Sequence, residues 1–117
     1  MNHRKTLSVI VPALNEEGNI EDAIAEIHRG ARAHFEDYEI LLFDDGSTDR
    51  TGAIMDAVAV RDPKVRITHH ASPRNLGGVY KAGVALARHE YCVMIPGDNE
   101  NPSSAMRIPR YVEPHVM

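Results

Sequence analysis

A run of apolar residues that passes directly into acidic and turn-forming residues constrains the fold of this chain more than any other feature. The run is Tyr38–Phe43, and Asp44-Asp45-Gly46-Ser47-Thr48-Asp49 follows it. A short apolar run that ends in turn residues is typical of a buried strand in a parallel sheet. The next segment has a helical pattern, so Ser47 or Thr48 is predicted to cap a helix. Carboxylates at the carboxyl end of such a strand lie where open α/β sheets bind ligands.

Strand-like and helix-like segments alternate along the chain. The predicted strands are Leu7–Val11 (ended by Pro12), Tyr38–Phe43, Val65–Thr68 and Tyr91–Ile95. Apolar residues spaced by three and four predict helices around Ile20–Ala31 (capped by Asn15 or Gly18), Ala53–Val58 and Val79–Ala87, with a weaker helical segment at Ser103–Arg107. This alternation predicts an α/β fold, a three-layer αβα sandwich around a mostly parallel, Rossmann-like sheet.

Composition and charge exclude several classes of function. The chain has 117 residues, the length of one domain, and 43% of them are hydrophobic, as in globular proteins. Its net charge is −4 and no basic cluster stands out, so nucleic acid is not expected as a partner. The single cysteine, Cys92, excludes an internal disulfide. No apolar run approaches the length of a membrane span, so we expect a cytoplasmic protein that contacts membranes only at their surface.

Four loops meet at the carboxyl edge of the predicted sheet and carry most of the polar residues of interest. They are the loops at 12–17, 44–49, 69–78 and 96–102. Asp44 and Asp45 are suited to a nucleobase N–H or a ribose hydroxyl, because ionised carboxylates only accept hydrogen bonds. The structural alternative is that they cap the next helix. Ser47 and Asp49 already provide that capping, however, and this redundancy favours a binding role for Asp45.

Three of these loops suggest an anion or a metal ion. Arg74-Asn75-Leu76-Gly77-Gly78 places a guanidinium, an amide and two glycines ahead of a helix, which suits a diphosphate, although a simple flexible loop explains it equally well. Asp98-Asn99-Glu100 offers oxygen ligands for Mg²⁺ or Mn²⁺, and a solvated acidic turn is the alternative. Pro12–Glu17 fits an anion-binding helix start or an ordinary helix entry. The adjacent His69 and His70 have no zinc spacing, and a surface role is predicted for them.

Three segments together resemble the N-terminal half of the family 2 glycosyltransferases, which have the GT-A fold. The segments are Ser8–Glu17, Phe43–Thr51 and Arg74–Gly78, in the family's order and at its usual intervals, and the resemblance spans roughly residues 7 to 105. Within the family, the chain is most similar to the polyprenyl-phosphate (dolichol-phosphate) sugar transferases. The resemblance implies transfer of a sugar from a nucleotide-diphospho-sugar donor to an acceptor such as a polyprenyl phosphate at the membrane surface.

The resemblance also implies roles for individual residues. Asp45 would hold the base, and Asp98 falls on the second aspartate of the family's Asp-x-Asp metal motif, whose first place is taken here by Pro96. The implied nucleotide-binding residues are Pro12, Leu14, Asn15, Glu16, Asp44, Asp45 and Ser47. The implied diphosphate-binding residues are Arg74, Asn75, Gly77 and Lys81, and the implied ligands of Mg²⁺ or Mn²⁺ are Asp98, Asn99 and Glu100.

Members of this family are longer than the present chain and carry their acceptor site and catalytic base in the part that follows. We therefore expect residues 1–117 to be one truncated donor-binding domain, with the base beyond Met117 and little turnover of its own. The fourth strand is then expected at an unpaired edge, which favours self-association. The alternative function, favoured by Pro96, is a catalytically silent domain that binds a nucleotide or a partner protein. A nucleotidyltransferase is disfavoured because no glycine-rich basic loop follows the first strand.

Overall fold

The computed structural model describes residues 5–97 and the backbone of a short strand at 113–114. The elements are, in chain order, β1 (Thr6–Ala13), α1 (Ile20–His34), β2 (Asp37–Asp44), α2 (Thr51–Arg61), β3 (Val65–His69), α3 (Asn75–Leu86), β4 (Tyr91–Met94) and β5 (Glu113–Pro114). The weak helical segment predicted at Ser103–Arg107 lies outside the described residues.

The strands form one sheet in the order β3-β2-β1-β4-β5. β1 pairs in parallel with β2 and β4, β2 pairs in parallel with β3, and β5 is antiparallel to β4. The central strand β1 is apolar on both faces, and Leu7, Val9, Ile10 and Val11 are fully buried. A mostly apolar sequence is expected there, because a central parallel strand is covered on both sides, and the buried Ser8 that interrupts it donates a hydrogen bond to Glu39.

Helices cover both faces of the sheet. Successive side chains of a strand point to opposite faces. Leu7, Val9 and Val11 accordingly share one core cluster with α1 and α2, whereas Ile10 belongs to a second cluster with Val79 of α3. The predicted three-layer αβα architecture around a mostly parallel sheet is therefore confirmed. Within the part of the chain that the structure describes, no helix is both long and apolar enough to cross a membrane.

Strand and helix boundaries differ from the prediction in three places. β1 continues through Pro12 to Ala13, because the sheet uses the Pro12 carbonyl, which accepts from the Gly97 N–H at 3.0 Å. Neither Ser47 nor Thr48 caps α2, which begins at Thr51; the Asp49 carboxylate accepts from the Thr51 N–H at 2.8 Å instead. Neither of the caps predicted for α1 is used, since that helix begins at Ile20 without a side-chain cap.

The prediction that the fourth strand lies at an unpaired edge is wrong. Tyr91 and Cys92 of β4 lie opposite Pro114 and Glu113 of β5. A strand of two residues that includes a proline is too short to show an alternating pattern, so it could not be predicted from the sequence. Self-association stays a prediction, without the open edge that motivated it.

Candidate functional site

An open cleft lies at the carboxyl edge of the sheet, where β1, β2 and β4 end. Its volume is about 440 Å³. The lining residues are Pro12, Ala13, Leu14, Asp45, Pro73, Asn75, Leu76 and Pro96. Leu14 and Leu76 are exposed although apolar. The cleft thus offers mostly apolar surface, with one carboxylate and one amide to orient a ligand, which is a common composition for a small-molecule site.

Asn15 joins the loop after β1 to the loop after β2. It has a φ of 54°, a left-handed conformation that asparagine tolerates better than most residues. Its Oδ1 accepts from the N–H groups of Thr48 at 2.8 Å and Asp49 at 3.2 Å, while its own N–H donates to Ser47 Oγ at 3.0 Å. Asn15 and Ser47, both predicted to bind the nucleotide, therefore hold two loops of the edge together and do not line the cleft.

Glu16 and its neighbour strengthen the same junction. The Glu16 N–H donates to Thr51 Oγ1 at 2.7 Å, and the carboxylate of Glu16 accepts from Asn19 at 3.1 Å. The Glu17 carboxylate accepts from the Arg50 N–H at 2.8 Å. These contacts hold the start of α2 against the start of α1. They therefore also fix the position of the acidic loop at 44–49, which directly precedes α2.

Asp44 is tied to the protein on both of its oxygens. Oδ1 accepts from the Ser47 N–H at 3.0 Å, and Oδ2 contacts His69 Nδ1 at 2.8 Å. His69 Nε2 in turn contacts Asp56 Oδ1 of α2 at 2.8 Å. Burial acts to raise the pKa of Asp44, but the hydrogen bonds from Ser47 and His69 outweigh it and hold the pKa below its ordinary value. The hydrogen bonds to Asp56 and Asp44 raise the pKa of His69.

Asp45 is buried at the wall of the cleft and is held from two directions. Its Oδ1 accepts from His70 Nδ1 at 2.9 Å. The Arg74 N–H donates to both carboxylate oxygens, at 2.9 Å to Oδ1 and 3.1 Å to Oδ2. Of the seven nucleotide-binding residues predicted from the resemblance, Asp45, Pro12 and Leu14 line the cleft. A carboxylate fixed in this way is a directed hydrogen-bond acceptor for a bound ligand.

His70 is the residue of this site that sequence reasoning missed. The predicted surface role is wrong for it, because only 8% of the residue is exposed, and its ring lies 5.7 Å from that of Phe43. No local sequence signal indicates this contact, because it follows from strand register: β2 and β3 pair Asp44 with His69, so the next residues, Asp45 and His70, also come together. His69 is more exposed, but both of its ring nitrogens are engaged.

The predicted diphosphate loop forms the start of α3. This helix begins at Asn75, which has a φ of 62° and whose Oδ1 accepts from the Gly78 N–H at 3.0 Å. Arg74 and Gly77 are exposed at this helix start, beside the cleft that Asn75 lines. Lys81 lies further along the exposed side of α3 and is not among the cleft residues. The start of α3 is the end of the helix dipole that attracts anions.

The predicted metal ligands Asp98, Asn99 and Glu100 lie outside the described residues. The segment just before them, after β4, lies at the cleft. Pro96 lines the cleft, and the Gly97 N–H donates a hydrogen bond to the Pro12 carbonyl. Within the described residues, no group of three or more histidine, cysteine, aspartate or glutamate side chains stands close enough together to hold a metal ion.

Comparison with known proteins shows to which family the chain belongs. Residues 8–114 match the model of glycosyl transferase family 2. The chain belongs to that family. The match runs from Ser8 within β1 to the end of β5, and therefore includes every residue that lines the cleft.

Among the relatives of this family 2 domain is the dolichyl-phosphate beta-glucosyltransferase of Dictyostelium discoideum. It is 33% identical over 99 residues, which cover 79% of this chain but only 30% of that enzyme. The chain thus spans about a third of this relative's length. The family match and this relative confirm the predicted resemblance to the N-terminal part of the polyprenyl-phosphate sugar transferases.

Two solved structures share the fold. A mannosyltransferase from Pyrobaculum calidifontis, in complex with GDP-Man and Mn²⁺, superposes with a TM-score of 0.71 at 24% identity, covering 83% of this chain and 28% of that one. S. aureus TarS in complex with UDP-GlcNAc superposes with a TM-score of 0.66 at 22% identity, covering 80% of this chain and 26% of that one. The GT-A fold implied by the resemblance is confirmed.

Proposed function

We propose that this domain binds the nucleotide-diphospho-sugar donor of a glycosyltransferase whose acceptor is a polyprenyl phosphate. One observation carries the proposal: Asp45 is a buried, doubly held carboxylate in the wall of a mostly apolar cleft. An apolar cleft with one fixed acceptor suits a flat nucleobase that carries an N–H donor. Family membership and the dolichyl-phosphate relative support the reaction class and the acceptor. Contact with a membrane surface follows from such an acceptor.

The diphosphate would lie at the start of α3. A base beside Asp45 leaves the rest of the nucleotide near Asn75, and Arg74 and Gly77 are exposed at the same helix start. The positive end of the helix dipole and the Arg74 guanidinium would stabilise the negative charge of the diphosphate. A role for Lys81 requires a ligand that extends past the first turn of the helix.

The reaction would be a displacement at the anomeric carbon of the sugar. An oxygen of the acceptor forms the new bond to this carbon, and the bond from the carbon to the nucleoside diphosphate breaks. The departing diphosphate gains negative charge, which Arg74 and the start of α3 would offset. We propose Asp98, with Asn99 and Glu100, as ligands of Mg²⁺ or Mn²⁺, which would supply further charge stabilisation when bound. The solved mannosyltransferase with GDP-Man and Mn²⁺ supports a divalent ion.

A catalytically silent nucleotide-binding or partner-binding domain is the second candidate. Pro96 favours it, because this residue stands at the end of β4 in the place of the first aspartate of the metal motif and lines the cleft with an apolar ring. Titration of UDP and GDP with and without Mn²⁺ separates the two candidates. A donor site should bind more tightly with the metal, whereas a silent domain should show no metal dependence.

Substitution of Asp45 tests the proposed site. Asp45→Ala should weaken binding of the preferred nucleoside diphosphate, measured by isothermal titration calorimetry, by about tenfold or more, because a charged hydrogen bond to the base is lost. Asp45→Asn keeps an oxygen acceptor for the Arg74 N–H and so tests whether the loss is merely local unfolding. Asp22→Ala, at an exposed carboxylate on α1, is the control. Unchanged affinity in a folded Asp45→Ala variant would contradict the assignment.

A further inference from the structure

His70 is a buried polar residue at the cleft for which the family resemblance assigns no role. It follows the last residue of β3, and its N–H donates to the Asp44 carbonyl at 2.8 Å. The ring packs against Phe43 and points its Nδ1 at Asp45. Because a carboxylate only accepts, Nδ1 carries the proton in this contact. The position of the Asp45 carboxylate therefore depends on His70 as well as on the backbone.

The hydrogen bonds already made by Asp45 limit what it is able to accept from a ligand. Each carboxylate oxygen has about two lone pairs available for hydrogen bonds. Oδ1 accepts from His70 at 2.9 Å and from the Arg74 N–H at 2.9 Å, so its capacity is used. Oδ2 accepts only the longer contact from Arg74, at 3.1 Å, among the described residues. One acceptor position, on Oδ2, remains for a bound base.

We propose that His70 is a positioning residue that makes the site selective for uracil or thymine over guanine. This inference rests on the proposed nucleotide-sugar site and names its base. By occupying Oδ1, His70 leaves a single directed acceptor on the Asp45 carboxylate. Uracil and thymine present one N–H between two carbonyl groups, which matches one acceptor. Guanine presents two adjacent donors, its N1–H and its amino group, and a carboxylate pairs with both only when both oxygens are available.

The mismatch with guanine has a physical cost. The second donor of guanine would face Oδ1, whose lone pairs are used by His70 and Arg74. In a cleft lined mostly by proline, alanine and leucine side chains, that donor would lose water without gaining a partner. A buried donor without an acceptor costs more than a good hydrogen bond contributes, so selection by such a site is expected to be strong.

Two substitutions of His70 separate positioning from packing. His70→Phe keeps a ring against Phe43 but removes the donor, which frees Oδ1. His70→Asn places an amide N–H the same number of bonds from Cβ as Nδ1 and is the conservative rescue. The affinities of UDP, GDP and inorganic pyrophosphate are measured by calorimetry in the presence of Mg²⁺, with circular dichroism to confirm that each variant is folded.

The wild-type chain should bind UDP at least about tenfold more tightly than GDP, the effect expected of one unmatched hydrogen bond. His70→Phe should reduce the ratio of the two affinities to near one, and His70→Asn should restore it. Pyrophosphate affinity should be unchanged in both variants, because it does not involve the base. A wild-type preference for GDP, or a ratio unchanged by His70→Phe, would overturn this inference alone. A wild-type chain that binds neither nucleotide would overturn the proposed function together with it.

Discussion

Individual side chains at the carboxyl edge act mainly by fixing other groups. His69 is the clearest example, because its ring lies between Asp44 at the end of β2 and Asp56 on α2, with both contacts at 2.8 Å. Its two ring nitrogens both face carboxylates, which only accept, so the protonated ring is the form that satisfies both contacts. The raised pKa of His69 follows from these two contacts, with Asp56 the larger cause.

The contribution of His69 to stability should therefore depend on pH. A group whose pKa is raised on folding stabilises the native state fully below its unfolded pKa, here the ordinary 6.5, and loses that contribution as pH rises through the native value. His69→Gln should lower the free energy of unfolding at pH 6 by less than about 1 kcal/mol, since the half-exposed ring is screened by solvent. The difference from wild type should shrink at higher pH.

Urea denaturation at several pH values measures this difference. His34→Gln, at an exposed histidine in the last turn of α1, is the matched control and should show no comparable trend. A His69→Gln effect of constant size between pH 5.5 and pH 8, about one unit below and more than one above the ordinary 6.5, would contradict the expectation.

At the scale of the elements, close approach of α3 to β1 positions the start of α3 beside the cleft. Gly83 allows this approach, because an added Cβ would lie 2.6 Å from Cδ1 and Cγ1 of Ile10 and 2.8 Å from its Cγ2. Ile10 is fully buried, so its branched side chain has little room to move. The glycine is thus required by packing, although it lowers the intrinsic preference for a helix.

Gly83→Ala should destabilise the protein by about 1–3 kcal/mol, as overpacking of a full core does, despite the gain in helix propensity. Gly77 provides a control in the same helix, because its added Cβ would meet only Asn75 Oδ1, at 3.5 Å, an ordinary contact. Gly77→Ala should be neutral or stabilising by up to about 1 kcal/mol. Thermal unfolding followed by circular dichroism compares the two. Equal effects would show that packing on Ile10 is not the reason for Gly83.

For the molecule as a whole, a buried carboxylate links the layers far from the cleft. Glu39 Oε2 accepts from Ser8 Oγ on β1 and from the Arg88 N–H after α3, both at 2.7 Å. Its Oε1 accepts from Arg66 Nη2 of β3 at 3.0 Å. Burial acts to raise the pKa of Glu39, but the hydrogen bonds from Ser8 and Arg88 and the charge of Arg66 outweigh it, so the pKa lies below its ordinary value.

The fold should consequently be lost in acid. A lowered native pKa contributes stability above the unfolded value, here the ordinary 4.5 for Glu39, and loses it as pH falls through the native value. Asp44 acts in the same direction from its ordinary 3.8, whereas His69 loses its contribution above 6.5. Stability should be greatest between about pH 5 and pH 6.5.

Substitution of Glu39 isolates its part of this pH dependence. Glu39→Gln should cost about 2 kcal/mol at pH 6, because two charged hydrogen bonds and an ion pair are weakened. This difference from wild type should fall toward zero in acid, where the native carboxyl is also protonated. Glu36→Gln, at an exposed position before β2, serves as the control. A Glu39→Gln cost that persists unchanged at pH 3 would contradict the linkage.

The architecture and the edge that carries the cleft were predictable from the chain alone. The alternation of short apolar runs and helical patterns is a local property of each segment, and it correctly predicted the parallel sheet and the edge at which the cleft lies. The acidic residues after β2 identified Asp45 as a cleft residue in the same way. The two-residue β5 was missed, because a strand that short has no pattern to detect.

Only the tertiary structure decided what each polar group at the edge is bonded to. Asn15 and Ser47, which the sequence predicted as ligand contacts, are 32 residues apart. A hydrogen bond between them instead joins the two loops in which they lie. His70 meets Asp45 across 25 residues of chain. Such partners depend on strand register and on the way helices pack across the sheet, and both are set by the whole core rather than by neighbours in sequence. The sequence therefore determined the edge at which the cleft lies, while the fold decided which polar groups of that edge are hydrogen-bonded to each other.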